Sequence, residues 1–185
     1  MPKVYLGLGS NLGDRLENCR EALRRLKGSG EVRLIRASSA YETEPVGEGF
    51  GGWFINAIAE AETDLDPIPL LQLLRQIEEE MGRRGERSGS DRPIDLDLLL
   101  YGDLLLDSED LIVPHPRLHL RRFVLEPLSE IAPQRVHPRL GRTMESLLGD
   151  LEDFHLVRRV GGYLVGPAEQ NLPLRGSREE KIGIL

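Results

Sequence analysis

From Lys3 to Gly9 apolar and polar residues alternate loosely, the period of a half-buried strand, and the run stops at Gly9-Ser10-Asn11. Leu16, Cys19, Leu23 and Leu26 then recur at helical spacing. Asp14 precedes them as an N-cap, with Glu17 at the reciprocal capping-box position, so the spacing predicts a helix to about Lys27, stopped by Gly28-Ser29-Gly30. Val32 to Thr43 reads as a second strand. A glycine-rich loop, Val46 to Gly52, leads into a third, Phe54 to Thr63, where apolar residues alternate with polar or small ones. Asp66-Pro67 has the cap-then-proline form of a helix start. Leu70, Leu71, Leu74, Ile77 and Met81 give that helix its apolar face, and Gly82 ends it. A loop rich in Arg, Gly and Ser (Arg83 to Arg92) precedes a fourth strand, Ile94 to Tyr101, and Gly102-Asp103 begins a tight turn toward Leu104 to Leu106. A further helix is expected from Arg122 to Ile131.

Strand, helix, strand, strand, helix, strand is the split βαβ order of ferredoxin-like folds. The expected class is α+β: a βαββαβ core with an antiparallel sheet, helices packed on one face of it, and C-terminal additions. At 185 residues the chain has room for one domain. Residues 1–160 are assigned to that domain and 161–185 to an extension, either a loose tail or an added strand. Cys19 is the only cysteine, so a disulfide framework and a Cys-ligated zinc site are excluded, and its place on an apolar stripe makes it a small core residue. No apolar run approaches the ~18 residues of a membrane span. The first residues have no signal-peptide shape, so a cytoplasmic protein is expected. A net charge of −7 argues against a general nucleic-acid binder.

The sharpest chemical feature is Asp95-Leu96-Asp97 inside an apolar strand. Residues two apart point to the same face, with Cα atoms roughly 6.5–7 Å apart. Carboxylates at that spacing can share one Mg²⁺ or bridge a pair of ions, whereas two like charges beside Leu98, Leu99 and Leu100 are costly without a cation. The bland alternative is a solvated strand face. Ahead of the pair, Arg83, Arg84, Arg87 and Arg92 crowd a Gly/Ser loop, and Arg117, Arg121 and Arg122 follow downstream. Guanidinium forks match phosphate oxygens and keep their charge. A basic loop beside a metal-binding carboxylate pair suits transfer from a nucleoside triphosphate. His115, held between Pro114 and Pro116, could contact phosphate, while His119, His137 and His155 show no ligand spacing. Trp53, Phe54 and Phe123 could sandwich a flat ring, or serve as core anchors. No phosphate-loop motif is present. Gly7 to Gly13 misses the dinucleotide fingerprint by one place, and its glycines more readily let a helix or ligand approach the first strand.

Taken together, Gly9-Ser-Asn-Leu-Gly13, Tyr41-Glu-Thr-Glu-Pro45, Phe54-Ile-Asn56, Met81-Gly-Arg83, Arg92-Pro-Ile-Asp-Leu-Asp97, Val113-Pro-His115 and Arg121-Arg-Phe-Val-Leu125 resemble the 6-hydroxymethyl-7,8-dihydropterin pyrophosphokinase family of the folate pathway. The resemblance runs from Tyr5 to about Pro133. It implies the same ferredoxin-like core, ATP as co-substrate, two Mg²⁺ ions, and transfer of the terminal pyrophosphoryl group to the pterin hydroxymethyl group with release of AMP. By position, Asp95 and Asp97 would hold the metals. Phe54 and Phe123 would clamp the pterin, and Asn56 would read its amide edge beside Thr43, Pro45 and Val46. Arg83, Arg92, Arg121 and His115 would contact the triphosphate, and Leu98 and Leu111 would flank adenine. Arg83, Arg92 and Asp97 are the expected catalytic residues; Asp97 is also the one candidate base, although positioning and charge stabilisation could suffice.

The loop departs from the family pattern of Gly-Arg-x-Arg followed by a Trp before Pro-Arg. Here it reads Gly82 to Arg92 with Asp91 ahead of Arg92 and no Trp, and either Arg84 or Arg87 could be the second loop arginine. Arg75 stands where relatives often carry an uncharged polar residue facing ATP. The expected partners are small molecules, ATP and the pterin, with no nucleic acid and no membrane. A monomer is expected, with contact to a neighbouring folate enzyme left open. An Asp-x-Asp glycosyltransferase would need a larger sugar-nucleotide domain, and a non-catalytic ferredoxin-like module has little reason to converge two Asp and several Arg.

Overall fold

A computed structural model describes residues 1–47, 51–83 and 91–164. The chain opens with β1 (Lys3–Ser10) and turns into α1 (Arg15–Gly28), where the Asp14 carboxylate accepts from the Glu17 amide at 3.0 Å as an N-cap. Leu23, Leu26 and Cys19 sink into the core, and burial pushes the Cys19 thiol up to about 12, that of an inert core residue. The expected strand from Val32 to Thr43 is two strands, β2 (Val32–Ala37) and β3 (Ser39–Thr43). The break has a local cause. Ser38 N–H donates to the Ile58 carbonyl at 2.8 Å, and Ser38 Oγ accepts from Ile58 N–H at 2.9 Å, so a hydroxyl stands in for a ladder partner and the strand bends.

Next come β4 (Phe54–Thr63), α2 (Pro67–Glu80) and β5 (Asp95–Tyr101). Pro67 starts α2 without a side-chain cap bond from Asp66, and Gly82, at φ +91, leaves it in the left-handed region that glycine tolerates. The strands run in the order β5-β1-β4-β3, all antiparallel, with β2 also on β4; this is the ferredoxin-like arrangement. A small hairpin of β6 (Leu106–Asp107) and β7 (Ile112–Val113) precedes α3 (Arg122–Ile131), which has the expected bounds. After the short α4 (Met144–Gly149), β8 (Val157–Tyr163) adds a strand outside β3. Residues 165–185 lie outside the described residues.

Two apolar clusters divide the sheet by face. Leu6 and Leu8 of β1, Ala57, Ala59 and Ala61 of β4, and Leu96 and Leu98 of β5 pack under α1 and α2. Tyr5, Ile58, Leu99 and Leu100 pack under α3 and α4. The C-terminal helices therefore cover the face that the core alone would leave open. This explains why β4 is buried almost throughout instead of alternating: it is a central strand with protein on both sides. Its one deeply buried acid, Glu60, is matched by Lys3 at 2.7 Å and Arg36 at 2.6 Å. Glu130 ties α3 to the sheet by accepting from Ser39 N–H, Ser39 Oγ and the Tyr41 hydroxyl at 3.0, 2.7 and 3.0 Å. No helix among the described residues is long and apolar enough to cross a membrane.

His137 sits beside the second cluster, 2% exposed. Its Nδ1 accepts from the Arg139 and Leu140 amides at 3.2 and 3.4 Å. Burial, then neighbouring His119 and arginines, lowers its pKa from 6.5 to about 4. The ring stays neutral in the fold but can protonate once unfolded, so the unfolded state binds more protons between those values. Stability is thus fully present above about 6.5 and is lost as pH falls through about 4. His137→Asn keeps an acceptor for the two amides and cannot titrate. Urea unfolding across this pH range should show a shallower acid loss in the variant; an unchanged slope would remove His137 as a cause.

Candidate active site

The cleft begins with two glycines on the middle strand. Gly9 pairs with Asn56 on one side and Asp95 on the other, and Gly7 with Ile58 and Asp97. Cross-strand partners share a face, so a bare stretch of β1 lies between an amide and two carboxylates. A Cβ on Gly9 would come 2.8 Å from Asn56 Oδ1, so only glycine fits there without displacing the amide. These glycines floor a cleft of about 480 Å³ on the α3 face of the sheet. The expectation that they let a helix or ligand approach the first strand fits this placement on the cleft floor.

One wall is polar-aromatic. Asn56 Nδ2 donates to Thr43 Oγ1 at 2.6 Å, which fixes the amide plane with its oxygen over Gly9. Phe54, at the start of β4, and Phe123, in the first turn of α3, line the same cleft, as does Val46. The Arg92 guanidinium lies over the Phe54 ring at 5.5 Å, and that of Arg121 over Phe123 at 5.4 Å. Pro45 lies between two lining residues, Glu44 and Val46, and does not itself line the cleft. Exposed Trp53 is outside it too, its carbonyl accepting from Arg15 at 2.7 Å.

The other wall is charged. Asp95 and Asp97 line the cleft together, as the strand period requires. Asp95 is held by two guanidinium groups, Arg83 at 2.6 Å and Arg92 at 2.7 Å. Asp97 is half-buried and takes no hydrogen bond or ion pair from the described residues. Burial, then the Asp95 charge, pushes its carboxyl above the usual range. Such a pair attracts a cation. No cluster of three or more His, Cys, Asp or Glu that could hold a metal occurs among the described residues.

His115 Nδ1 accepts from the Arg117 amide at 3.1 Å, so the neutral ring carries its proton on Nε2. Burial, then the Arg121 and Arg117 charges, lowers its pKa to about 4, which leaves it a neutral donor. Arg121 completes the wall at the start of α3.

Leu98 and Leu111 do not line the cleft. The β5 alternation turns Leu98 to the α1–α2 core, and Leu111 joins the same cluster. Arg122 is engaged elsewhere, its backbone and side chain bonding Asp153. Arg84 and Arg87 lie outside the described residues. Sequence reasoning missed Glu78. Its carboxylate, 6% exposed, accepts from the edge-strand amide of Leu96 at 2.6 Å and pairs with Arg83. Burial raises its pKa despite those partners. The signal was present: Glu78 falls on the spacing of Leu71 and Leu74, where a helix facing a core should be apolar. Arg75, one turn earlier, also lines the cleft, and its buried Nε has no hydrogen-bond partner among the described residues.

The family model for 7,8-dihydro-6-hydroxymethylpterin-pyrophosphokinase matches residues 5–133. A Bacillus subtilis protein named 2-amino-4-hydroxy-6-hydroxymethyldihydropteridine pyrophosphokinase is 45% identical over 131 residues, covering 71% of this chain and 78% of that one. A Haemophilus influenzae protein of the same name is 36% identical over 158 residues, covering 85% and 98%. Among solved structures, wild-type HPPK-DHPS from Plasmodium falciparum with pteroate superposes with a TM-score of 0.65 at 16% identity. That likeness supports the fold, and this chain, with 80% of its length matched, spans only 44% of that longer protein.

Thr43→Val is nearly isosteric but removes the acceptor that Asn56 Nδ2 uses inside a buried pocket. Thermal unfolding should show a loss of about 1–3 kcal/mol, the cost of one unsatisfied buried donor, and Thr43→Ser should recover most of it. Equal stability of the valine variant would contradict the amide assignment.

Proposed function

The chain belongs to the 7,8-dihydro-6-hydroxymethylpterin-pyrophosphokinase family, and from that premise we infer how its cleft divides the work. The enzyme transfers the pyrophosphoryl group of ATP to the hydroxymethyl group of 6-hydroxymethyl-7,8-dihydropterin, giving AMP and the pterin diphosphate in folate biosynthesis. The observation that carries the division of roles is the row Asn56–Gly9–Asp95 across three strands. It sets a fixed amide beside Phe54 at one end and the two carboxylates at the other, with Phe123 of α3 lining the same cleft.

On this reading the pterin lies between Phe54 and Phe123. Asn56, held by Thr43, reads its amide edge, and backbone groups around Val46 close the side. Arg83, Arg92, Arg121 and His115 meet the triphosphate. Arg83 and Arg92, both paired with Asp95, carry planar forks that suit bidentate contact with phosphate oxygens. His115 offers Nε2–H without adding charge.

Asp95 and Asp97 fit Mg²⁺: both are oxygen donors on one face, and Asp97 has no competing partner among the described residues. Two Mg²⁺ ions held by these carboxylates would supply positive charge against the triphosphate. The new bond joins the pterin hydroxyl oxygen to the β-phosphorus, the bond from that phosphorus to the α,β-bridging oxygen breaks, the oxygen leaves with AMP, and the hydroxyl proton passes to water. The residues contribute orientation and charge compensation: stacking aligns the hydroxymethyl arm, and the arginines take the charge that develops on the departing AMP. The Plasmodium falciparum relative carries HPPK and DHPS in one chain. On that basis we extend the reading to contact between this chain and a neighbouring folate enzyme.

Nucleotide products decide the reading. With ATP, Mg²⁺ and the hydroxymethyl-dihydropterin, AMP should appear only when the pterin is present; ADP would move the attack to the γ-phosphorus and overturn it. Asp97→Asn should abolish turnover with the fold intact, and near-normal activity would sink the metal assignment. Arg92→Ala should cost roughly 2–4 kcal/mol in kcat, the range of a preorganised donor. A change confined to pterin KM would contradict that role.

A further inference from the structure

Three segments far apart in sequence meet at one carboxylate just outside the cleft. Asp91 Oδ1 accepts from Asn11 Nδ2 at 2.6 Å and from the Gly51 amide at 2.9 Å. Asn11 follows β1, and Gly51 belongs to the loop that enters β4 at Phe54. A Cβ on Gly51 would come 2.7 Å from Asp91 Oδ2, so the contact needs a bare backbone there. Asn11, 8% exposed, also grips the residue after Asp91: its Oδ1 accepts from Arg92 N–H at 2.8 Å, and its own N–H donates to the Arg92 carbonyl at 3.3 Å.

We propose that Asp91 is a positioning residue for the transfer reaction, acting through Asn11 and Gly51 to fix the backbone of Arg92. The inference rests on the reading of the cleft given above. Arg92 is the side chain that spans both halves of the site, bonded to Asp95 at 2.7 Å and lying over Phe54 at 5.5 Å. Its reach is useful only if its backbone is held. The Asn11 backbone pair supplies one restraint, and Asp91 orients the Asn11 amide that supplies another. By binding Gly51 with the same oxygen, Asp91 also sets the loop that delivers Phe54. One carboxylate thus puts the guanidinium and the ring it covers in fixed relation. A neutral oxygen acceptor of the same shape would do the same, because both donors are N–H groups and no cation touches Asp91 among the described residues.

The test compares Asp91→Ala, Asp91→Asn and Arg92→Ala, alone and combined, in the full chain. Asp91→Ala should lower kcat about tenfold, the scale of one lost hydrogen bond to a charged acceptor, with KM for ATP little changed and the melting temperature near that of the parent. Asp91→Asn should recover kcat. Adding Asp91→Ala to Arg92→Ala should cost clearly less than the product of the two single losses, because the part that runs through Arg92 is already gone. Trp53 is the only tryptophan and lies two residues beyond Gly51, so its emission should shift in Asp91→Ala and return in Asp91→Asn. Unchanged kcat, multiplying losses in the double variant, or a drop in melting temperature with kcat intact would overturn the proposal while leaving the transfer reaction standing. If the parent itself released no AMP, the functional reading would fail, and unchanged Trp53 emission would then overturn the Asp91 tie on its own.

Discussion

The absence of side chains at Gly7 and Gly9 is the constraint on which the site depends. A sheet covered on both faces normally fills its centre, and here β4 is buried almost end to end. On the α3 face, Tyr5, Ile58 and Leu99 fill one end of the central strands, while the two glycines leave the other end bare. The cleft is therefore a missing layer of core, walled by whatever the flanking strands present. On β4 that is Asn56 and Phe54; on β5 it is Asp95 and Asp97. The fold sets the spacing between the two halves, because the register sets which residues flank the bare strand.

That geometry imposes an electrostatic cost. Asp97, Asp95 and Glu78 crowd a poorly solvated corner, and burial raises the carboxyl pKa of Asp97 and of Glu78. Arg83 relieves part of the repulsion by pairing with Glu78 and Asp95, and Arg92 adds a second fork. Positive charge accumulates along the same wall, where burial, then the Arg121 and Arg117 charges, lowers the His115 pKa. The acidic corner calls for cations and the basic wall for anions. A metal-bound polyphosphate meets both demands at once, which an isolated anion or an isolated cation would not.

Much of this was legible in the sequence where one residue type has one physical use. Asp95 and Asp97 two apart in a strand could only share a face, and the order of periodic segments led to the ferredoxin-like sheet. The α3 bounds followed from simple periodicity. What failed to show depended on partners distant in sequence. The break at Ser38 needs Ile58 as its partner, which nothing local between Val32 and Thr43 reveals. The second covered face needs α3 and α4, so β4 looked half exposed. Glu78 was passed over because a carboxylate on a helix usually faces water. Leu98 was placed at a ligand by position in a motif, while the β5 alternation turns it into the core.

The two walls of the cleft are joined by backbone more than by side chains. Thr43, Phe54 and Asn56 belong to strands that pair directly, so the polar-aromatic wall is as rigid as the sheet. The charged wall draws Arg83, Arg92, His115 and Arg121 from loops and helix ends, which carry no such ladder. Precision there has to come from tethers, and the structure supplies them singly: Asp95 to two guanidinium groups, the Leu99 carbonyl to His115 N–H at 2.9 Å, and Asn11 to Arg92. Arg92 carries the heaviest demand, because it reaches both an aromatic of the rigid wall and a carboxylate of the charged wall. Displacing its backbone would misplace both contacts together. The residues that hold that backbone therefore bear on the chemistry as directly as several that line the cleft.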